Sequence, residues 1–249
     1  MINTVLGAIL GSVIIPFILW GIKNLIRWIR SNKQKLKVLG TFANNNVNST
    51  IFFRDLVLAP KSKVIAQDPP FMLSETPNIR DLWPAVEGKA IALILNLLGE
   101  INKTKNIIVK PMSTDQGELD TNVMVLGAQA KKSFDFYSNM DDVGYRMGVD
   151  EIYDNQTDEI IVREEGFGYG IIIKARNPHY VKAPDSPAFL IGGYGVLGTI
   201  AAAYYFRNHI NDLAKKFGKS PFSIIVRAPI NAGEEAVQRL SSYDKKFGS

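Results

Sequence analysis

The sequence predicts an α/β protein, in which an N-terminal transmembrane helix precedes a three-layer, Rossmann-like mixed sheet. From residue 79 onward, short and uniformly apolar strand patterns alternate with helical patterns, which is typical of a sheet covered on both faces. A glycine-rich turn between a strand and a long helix lies at residues 188–206. The first 22 of the 249 residues contain no charged side chain, which sets the N-terminus apart from the rest of the chain.

The N-terminal segment 5–22 has Ser12 as its one polar residue. Eighteen helical residues span about 27 Å, close to the hydrocarbon thickness of a bilayer. A secretory signal peptide is disfavoured, because no basic residue precedes the apolar run and no small-residue cleavage motif follows it. The segment is therefore predicted to cross a membrane once. Gly7 and Gly11 form a GxxxG pair, which either brings two such helices together or has no special role.

Residues 23–37 set the predicted orientation, because they contain six basic residues and no acidic one. Basic residues concentrate on the cytoplasmic side, so the N-terminus is predicted outside and the C-terminal domain in the cytoplasm, at the plasma (inner) membrane. Apolar residues recur at helical spacing among the basic ones, which predicts a helix along the headgroup layer. The rest of the chain carries 23 basic and 24 acidic residues, so the net charge of +5 does not indicate binding to a nucleic-acid duplex.

The remaining chain is divided into a β-rich lead-in or linker at 38–78 and a Rossmann-like domain at 79–249. The lead-in is predicted to contain a loop at 44–50 and strands at 51–59 and 63–67. In the domain, helices are predicted at 79–100, 128–138, 199–217 and, briefly, from about residue 233. Strands are predicted at 106–110, 121–127, 188–192 and 222–227, and a hairpin is predicted from segments 158–163 and 170–176.

The glycine-rich turn fits G-x-G-x-x-G in the strand-to-helix context that gives this motif its meaning. Glycine permits close backbone approach, and the first N–H groups of a helix bind anions. Thr199 is expected either to cap the helix or to donate to a phosphate. The acid that would bind the ribose of NAD is missing, because the next strand ends at Arg227. The motif therefore either binds a phosphate group or only forms a tight turn.

Two further segments are candidates for the same ligand site. Gly127 ends a predicted strand, and the glycine motif also lies at the end of one. Ligands of open α/β sheets bind beyond such strand ends, so these two turns would line one crevice if their strands are neighbours. Arg176 and Asn177 follow another predicted strand end and add a positive charge and an amide, although Asn177-Pro178 is also an ordinary turn. The predicted ligand-binding residues are Gly127, Arg176, Asn177, Gly192, Gly193, Tyr194, Gly195, Gly198 and Thr199.

Several kinds of chemistry are excluded by composition. The chain has no cysteine and two histidines, which excludes disulfides, thiolate chemistry and a three-histidine metal site, and neither metal nor cofactor is predicted. Nucleophile-elbow, zinc-protease and complete Walker A motifs are also missing from the sequence. No catalytic residue is assigned, and enzymatic activity stays open, with Glu164 or Glu165 as the candidate acid.

The order of these motifs resembles a group of largely uncharacterised prokaryotic proteins with Rossmann-like domains. The matching segments are the strand ending in glycine at 123–127, Asn177-Pro178 and the strand-GGxGxxGT-helix motif at 192–202, and together they cover about half the chain. The layout is also similar to membrane-tethered effectors of prokaryotic antiviral immunity, which implies a cytoplasmic domain that binds a nucleotide signal.

The leading functional hypothesis is a single-pass membrane-anchored sensor or effector. Its cytoplasmic domain would bind a phosphate-bearing, nucleotide-like small molecule and control the association of membrane helices in a homo-oligomer. The alternatives are a membrane-bound nucleotide or glycosyl hydrolase or transferase, and a protein-interaction module whose glycines are structural.

Overall fold

The computed structural model describes residues 15–54, 85–112, 119–129, 131–148, 151–180, 183 and 186–244. This part is a mixed α/β fold with a seven-stranded mixed sheet and a three-stranded antiparallel sheet. The helices are α1 (Ile15–Leu39), α2 (Ala85–Glu100), α3 (Lys131–Asn139) and α4 (Gly195–Lys216). The strands are β1 (Ser49–Phe53), β2 (Ile107–Pro111), β3 (Asn122–Leu126), β4 (Tyr145–Met147), β5 (Glu151–Asp154), β6 (Ile160–Val162), β7 (Phe167–Arg176), β8 (Pro187–Gly193), β9 (Phe222–Pro229) and β10 (Gln238–Asp244).

The large sheet has the strand order β10-β9-β7-β8-β3-β1-β2. Strands β2, β1, β3 and β8 run parallel to one another, whereas β7 is antiparallel to both β8 and β9, and β10 is antiparallel to β9. All five residues of β3 are buried, as expected for a strand covered on both faces. The small sheet has the order β4-β5-β6.

The large sheet is the middle of three layers. Helices α1, α2 and α4 cover one face, and α3 with the small sheet covers the other. Along β8, Phe189 and Ile191 contribute to the helix-covered core and Leu190 to the opposite core, as the alternation of side chains along a strand requires. The Phe189 ring packs edge-on against Phe42, with ring centroids 5.9 Å apart, and against Phe206 at 5.8 Å.

Most predicted elements are confirmed, with ends that differ by a few residues. The strands predicted at 106–110, 121–127, 188–192 and 222–227 are β2, β3, β8 and β9, and the first three predicted helices correspond to α2, α3 and α4. Residues 79–84 of the first predicted helix lie outside the described residues. The short helix predicted from residue 233 is a single 3₁₀ turn, Glu234–Ala236, and β10 follows it.

The predicted hairpin is wrong. Segment 158–163 supplies β6, which pairs with β5 in the small sheet, whereas β7 lies between β8 and β9 in the large one. Burial explains the difference. The apolar run 171–173 is completely buried, as an interior strand requires, while Ile160 and Val162 are 50% and 72% exposed on an edge strand.

Strand β1 is an interior strand of the large sheet, between β2 and β3. It begins within the predicted loop 44–50 and covers the start of the predicted strand 51–59. The last residues of that predicted strand lie outside the described residues, and so does the strand predicted at 63–67. The lead-in predicted at 38–78 therefore contributes to the core of the main domain, and residue 79 does not mark a boundary of the sheet.

Helix α1 joins two segments that the sequence treats separately. It runs without interruption from Ile15 to Leu39, so it contains the end of the predicted transmembrane segment and all of the basic segment 23–37. Residues 5–14 of the predicted span lie outside the described residues. Among the residues that are described, no helix combines the length and apolar composition needed to cross a membrane.

Candidate functional site

The predicted glycine motif forms the turn from β8 into α4. Tyr194 is the N-cap residue of α4, and the Gly198 N–H donates to the Tyr194 carbonyl oxygen at 3.2 Å to close the first helical turn. Gly192, Gly193 and Gly198 have no left-handed φ angle. Conformational freedom therefore does not explain these glycines, and the remaining explanation is space.

Backbone atoms occupy the positions that side chains would take at these glycines. A Cβ atom at Gly198 would lie 2.2 Å from the Tyr169 carbonyl oxygen, and a Cβ at Gly193 would lie 2.4 Å from the same oxygen. A Cβ at Gly192 would lie 2.4 Å from the Gly127 carbonyl carbon. The glycines thus allow α4 and β8 to pack directly on neighbouring backbone, and this packing accounts for them without a ligand.

Gly127 lies beside the glycine turn, as the predicted crevice requires. Strands β3 and β8 are parallel neighbours, and the Gly127 N–H donates to the Ile191 carbonyl oxygen at 2.9 Å. The φ angle of Gly127 is +124°, a conformation that side chains rarely permit, and its carbonyl accepts a hydrogen bond from Ser133 Oγ at 2.7 Å. Helices α3 and α4 diverge to opposite faces of the sheet here, which makes this edge a topological switch point.

The turn between β4 and β5 is hydrogen-bonded over this switch point. The Tyr194 hydroxyl, which is buried, contacts the carbonyl oxygens of Gly148 at 3.1 Å and Glu151 at 2.6 Å. Gln129 Nε2 donates to the same Gly148 oxygen at 2.7 Å. The Arg163 guanidinium lies 4.2 Å from the centre of the Tyr194 ring. Tyr194, which the sequence assigns to a ligand, therefore attaches the small sheet to the large one.

Gly195 begins α4 here, and Thr199, in its first turns, is buried.

Arg176 and Asn177 lie at the opposite edge of the sheet from the glycine turn. Because β7 is antiparallel to β8, Gly170 pairs with Gly193 and Arg176 with Pro187. The separation along the strand is about 20 Å, at ~3.3 Å per residue. The predicted ligand-binding residues therefore do not form one site.

The Asn177 side chain is buried and bonded within the protein. Its Nδ2 donates to the carbonyl oxygens of Leu119 at 2.6 Å and Thr121 at 2.9 Å, and its Oδ1 accepts from the His179 N–H at 3.1 Å. These bonds fix the turn after β7 to the strand entering β3. The interpretation of Asn177-Pro178 as a structural turn explains every one of these contacts.

A cleft of about 600 Å³ lies at the edge of the sheet that carries Arg176. We refer to it as the basic cleft. It lies between the end of α1, the end of β7, the start of β8 and the loop before β9, and its lining residues are Lys37, Gly40, Thr41, Lys174, Ala175, Arg176, Pro187, Lys219, Ser220 and Pro221. Four of these side chains are basic and none is acidic. A volume of this size is ordinary for a small-molecule site.

Lys174 is the buried cation of the basic cleft. It is 4% exposed, and its Nζ donates to the Lys219 carbonyl oxygen at 2.8 Å. Burial, and then the positive charge of Lys219, lower the pKa of Lys174 to about 8, so the side chain is still mostly charged at neutral pH. Within the described part of the chain, no carboxylate forms an ion pair with Lys37, Lys174 or Lys219, while Arg176 lies 3.5 Å from an Asp142 carboxylate oxygen.

Sequence reasoning assigned Arg176 to a ligand but missed the rest of the basic cleft, because its cations come from three distant segments. One residue of the sequence indicated a charged site here: Lys174, which directly follows three isoleucines of β7. Lysine is rarely buried without a partner, so a lysine in a buried strand points to a site that needs its charge. Of the candidate acids, Glu164 accepts a hydrogen bond from Arg227 Nη1 at 2.8 Å, and Glu165 is exposed. Over the described ranges, no group of three or more acidic or histidine side chains is arranged to hold a metal ion.

Comparison with known proteins gives no relative from which a function could be transferred. No protein-family model matches the chain, and no curated protein sequence matches it. The functional argument therefore depends on the geometry of α1, the glycine turn and the basic cleft.

Proposed function

We propose that the protein is a membrane-anchored sensor. Helix α1 attaches it to a membrane, and its Rossmann-like α/β domain binds an anionic, phosphate-bearing small molecule and passes the effect of binding to that helix. The single observation that carries the proposal is the contrast along α1, whose first half exposes large apolar side chains and whose last turn lies in the core of the domain.

The exposed half of α1 suits a lipid surface. Phe17, Ile18, Leu19 and Trp20 are between 52% and 70% exposed, and four consecutive residues cover all sides of a helix. Large apolar side chains in such a group are rare on the surface of a soluble monomer and mark an interaction with a membrane or a partner. The uncharged sequence that precedes them favours the membrane.

The next two turns of α1 are amphipathic. At 100° per residue, one side of the helix carries the apolar residues and the other the basic residues. The exposed apolar residues of these turns are Ile22, Leu25, Ile26, Trp28 and Ile29, and the basic ones are Lys23, Arg27 and Arg30. This arrangement suits a helix at the headgroup layer of an anionic membrane, because lipid tails cover the apolar side and phosphates neutralise the basic side.

The end of α1 is attached to the domain by polar and apolar contacts. Val38 and Leu39 are fully buried, and the Asn211 Nδ2 of α4 donates to Ser31 Oγ at 3.1 Å. Glu100 accepts hydrogen bonds from Lys35 at 2.6 Å and from Arg207 at 2.9 Å. Partial burial opposes the charge of Glu100, but these hydrogen bonds outweigh it and lower its pKa. A rearrangement of α4 would therefore move α1.

Vesicle flotation of the full chain tests the anchor. The wild type is expected to float with vesicles of phosphatidylcholine and phosphatidylserine. The double variant Ile18→Asp/Leu19→Asp is expected to lose at least about tenfold in the floating fraction. An aspartate costs about 3 kcal/mol at the centre of a membrane helix and less towards its end, so two of them in the last turns of the predicted span 5–22 still exceed the ~1.4 kcal/mol of a tenfold change.

The matched control is Ile160→Asp/Val162→Asp. It makes the same chemical change at two exposed positions of β6, and it is expected to float like the wild type. Equal flotation of the two double variants, or a wild type that does not float, would refute the proposed anchor.

The nucleotide nature of the ligand, the homo-oligomer and the role in antiviral defence stay predictions. Association of helices through Gly7 and Gly11 concerns positions outside the described residues. Cross-linking in vesicles, with and without ligand, would measure it. No observation on the described residues favours the hydrolase, transferase or interaction-module hypotheses over the sensor.

A further inference from the structure

We infer that the basic cleft is the binding site for a phosphate monoester or a polyphosphate, and that the glycine turn is not. The inference deepens the proposed function, because it places the anionic ligand of that sensor at a specific site. Binding of the anion to the cleft does not depend on the proposed anchor. Only the effect of that binding on the membrane helix α1 depends on it.

The first argument is charge. Lys37, Lys174, Arg176 and Lys219 line one cavity, and in the described part of the chain an acidic partner is found for Arg176 alone. Like charges that converge in a partly buried space repel one another, and Lys219 acts on the buried Lys174 in this way. A multivalent anion in the cleft would remove this repulsion, so the arrangement favours an anionic ligand.

The second argument is the supply of donors. A lysine ammonium group has three N–H donors, and one from Lys174 is used by the Lys219 carbonyl oxygen. The remaining donors of Lys174, with those of Lys37 and Lys219, suit the several oxygens of a phosphate. No aromatic side chain lines the basic cleft among the described residues, so nothing there stacks on a nucleobase. The phosphate groups are therefore the part of the ligand that this site recognises.

The third argument is position. Lys37 lies in the last turn of α1, and Gly40 and Thr41 of the following 3₁₀ turn continue the same wall. Lys219 belongs to the loop that leads from α4 into β9. An anion that contacts both lysines would connect the end of α1 to the end of α4, which is the contact that the proposed sensor needs.

The test measures binding of inorganic pyrophosphate to the full chain in detergent by calorimetry, with thermal stabilisation as a second readout. Lys37→Ala and Lys219→Ala are the test variants, because both side chains are exposed and their loss should not affect folding. Each is expected to weaken binding by about tenfold, the effect of losing one charge-assisted hydrogen bond. Lys105→Ala is the matched control: it removes an exposed lysine that does not line the cleft, and it should bind like the wild type.

A second arm separates a free phosphate from a lipid headgroup. Nanodiscs containing phosphatidic acid are compared with pure phosphatidylcholine, without pyrophosphate. The site is supported if pyrophosphate or phosphatidic acid stabilises the wild type and Lys105→Ala but neither test variant. Which of the two anions stabilises the protein then shows whether the ligand is a free phosphate or a lipid headgroup. Failure of both anions to stabilise the wild type, or equal effects in all variants, overturns it. Flotation in either case reports on the anchor alone, so the two failures are distinguishable.

Discussion

Replacing Gly198 by alanine tests whether packing fixes the glycine turn. The new Cβ would lie 2.2 Å from the Tyr169 carbonyl oxygen and 3.0 Å from the Gly193 carbonyl carbon, whereas ordinary contacts begin at 3.4 Å. Helix α4 and β7 must therefore separate by about 1 Å. Overpacking costs about 1–3 kcal/mol, and we expect about 3 kcal/mol because both obstructing atoms belong to the backbone.

The assay is unfolding of the ligand-free protein in detergent, followed by circular dichroism. A loss of about 3 kcal/mol corresponds to a fall in Tm of about 6–12 °C for a chain of this size. Gly88→Ala in α2 is the control, because no atom lies within 4 Å of its Cβ position. Alanine there should raise the free energy of unfolding by about 0.5–1 kcal/mol. If Gly198→Ala stays within about 0.5 kcal/mol of the wild type while the control behaves as expected, the packing explanation is refuted.

Three further substitutions test the other contacts. Lys174→Met removes a buried positive charge that destabilises the folded wild type. Below pH 8 the lysine is protonated in both the folded and the unfolded state, so the full cost of burying the charge is present. That cost is lost as the pH rises through about 8 towards 10.5, because the folded state then releases its proton before the unfolded state does. The advantage of the variant in unfolding free energy should therefore be about 2.5 kcal/mol larger at pH 7 than at pH 10, measured by denaturation at both pH values. Asn177→Ala should lower the unfolding free energy by about 3 kcal/mol in urea, since it leaves buried carbonyl groups without partners. Tyr194→Phe should cost about 1 kcal/mol and accelerate amide hydrogen exchange in β4 and β5, because the hydroxyl that the Gly148 and Glu151 carbonyl oxygens share is lost.

The strands of the parallel half of the sheet could be predicted because their environment is uniform. Every residue of Asn122–Leu126 is buried, so the sequence shows one continuous apolar run between polar ends. Helix α4 could be predicted for a similar reason: Phe206, Ile210 and Leu213 recur at helical spacing and all lie in the core. Local patterns of this kind report burial directly.

The partners of β7 could not be predicted from local patterns. Consecutive strands usually pair, which favoured a hairpin between 158–163 and 170–176. Strand β7 pairs instead with two later strands, β8 and β9, and this choice depends on long-range packing. The same antiparallel insertion brings Lys174 and Arg176 next to Lys37 and Lys219, so the basic cleft became visible only with the sheet order.

The glycine motif identified the switch point, but a motif does not show what covers it. Two donors hold the β4–β5 turn there: the single Tyr194 O–H, shared between the Gly148 and Glu151 carbonyl oxygens, and Gln129 Nε2, which donates to Gly148. A ligand that displaced this turn would break both bonds, at a cost of about 1 kcal/mol for each. About 2 kcal/mol lowers the apparent affinity about 30-fold. In the basic cleft, by contrast, an anion would relieve the repulsion between basic side chains, which favours the proposed phosphate site at the opposite edge of the sheet.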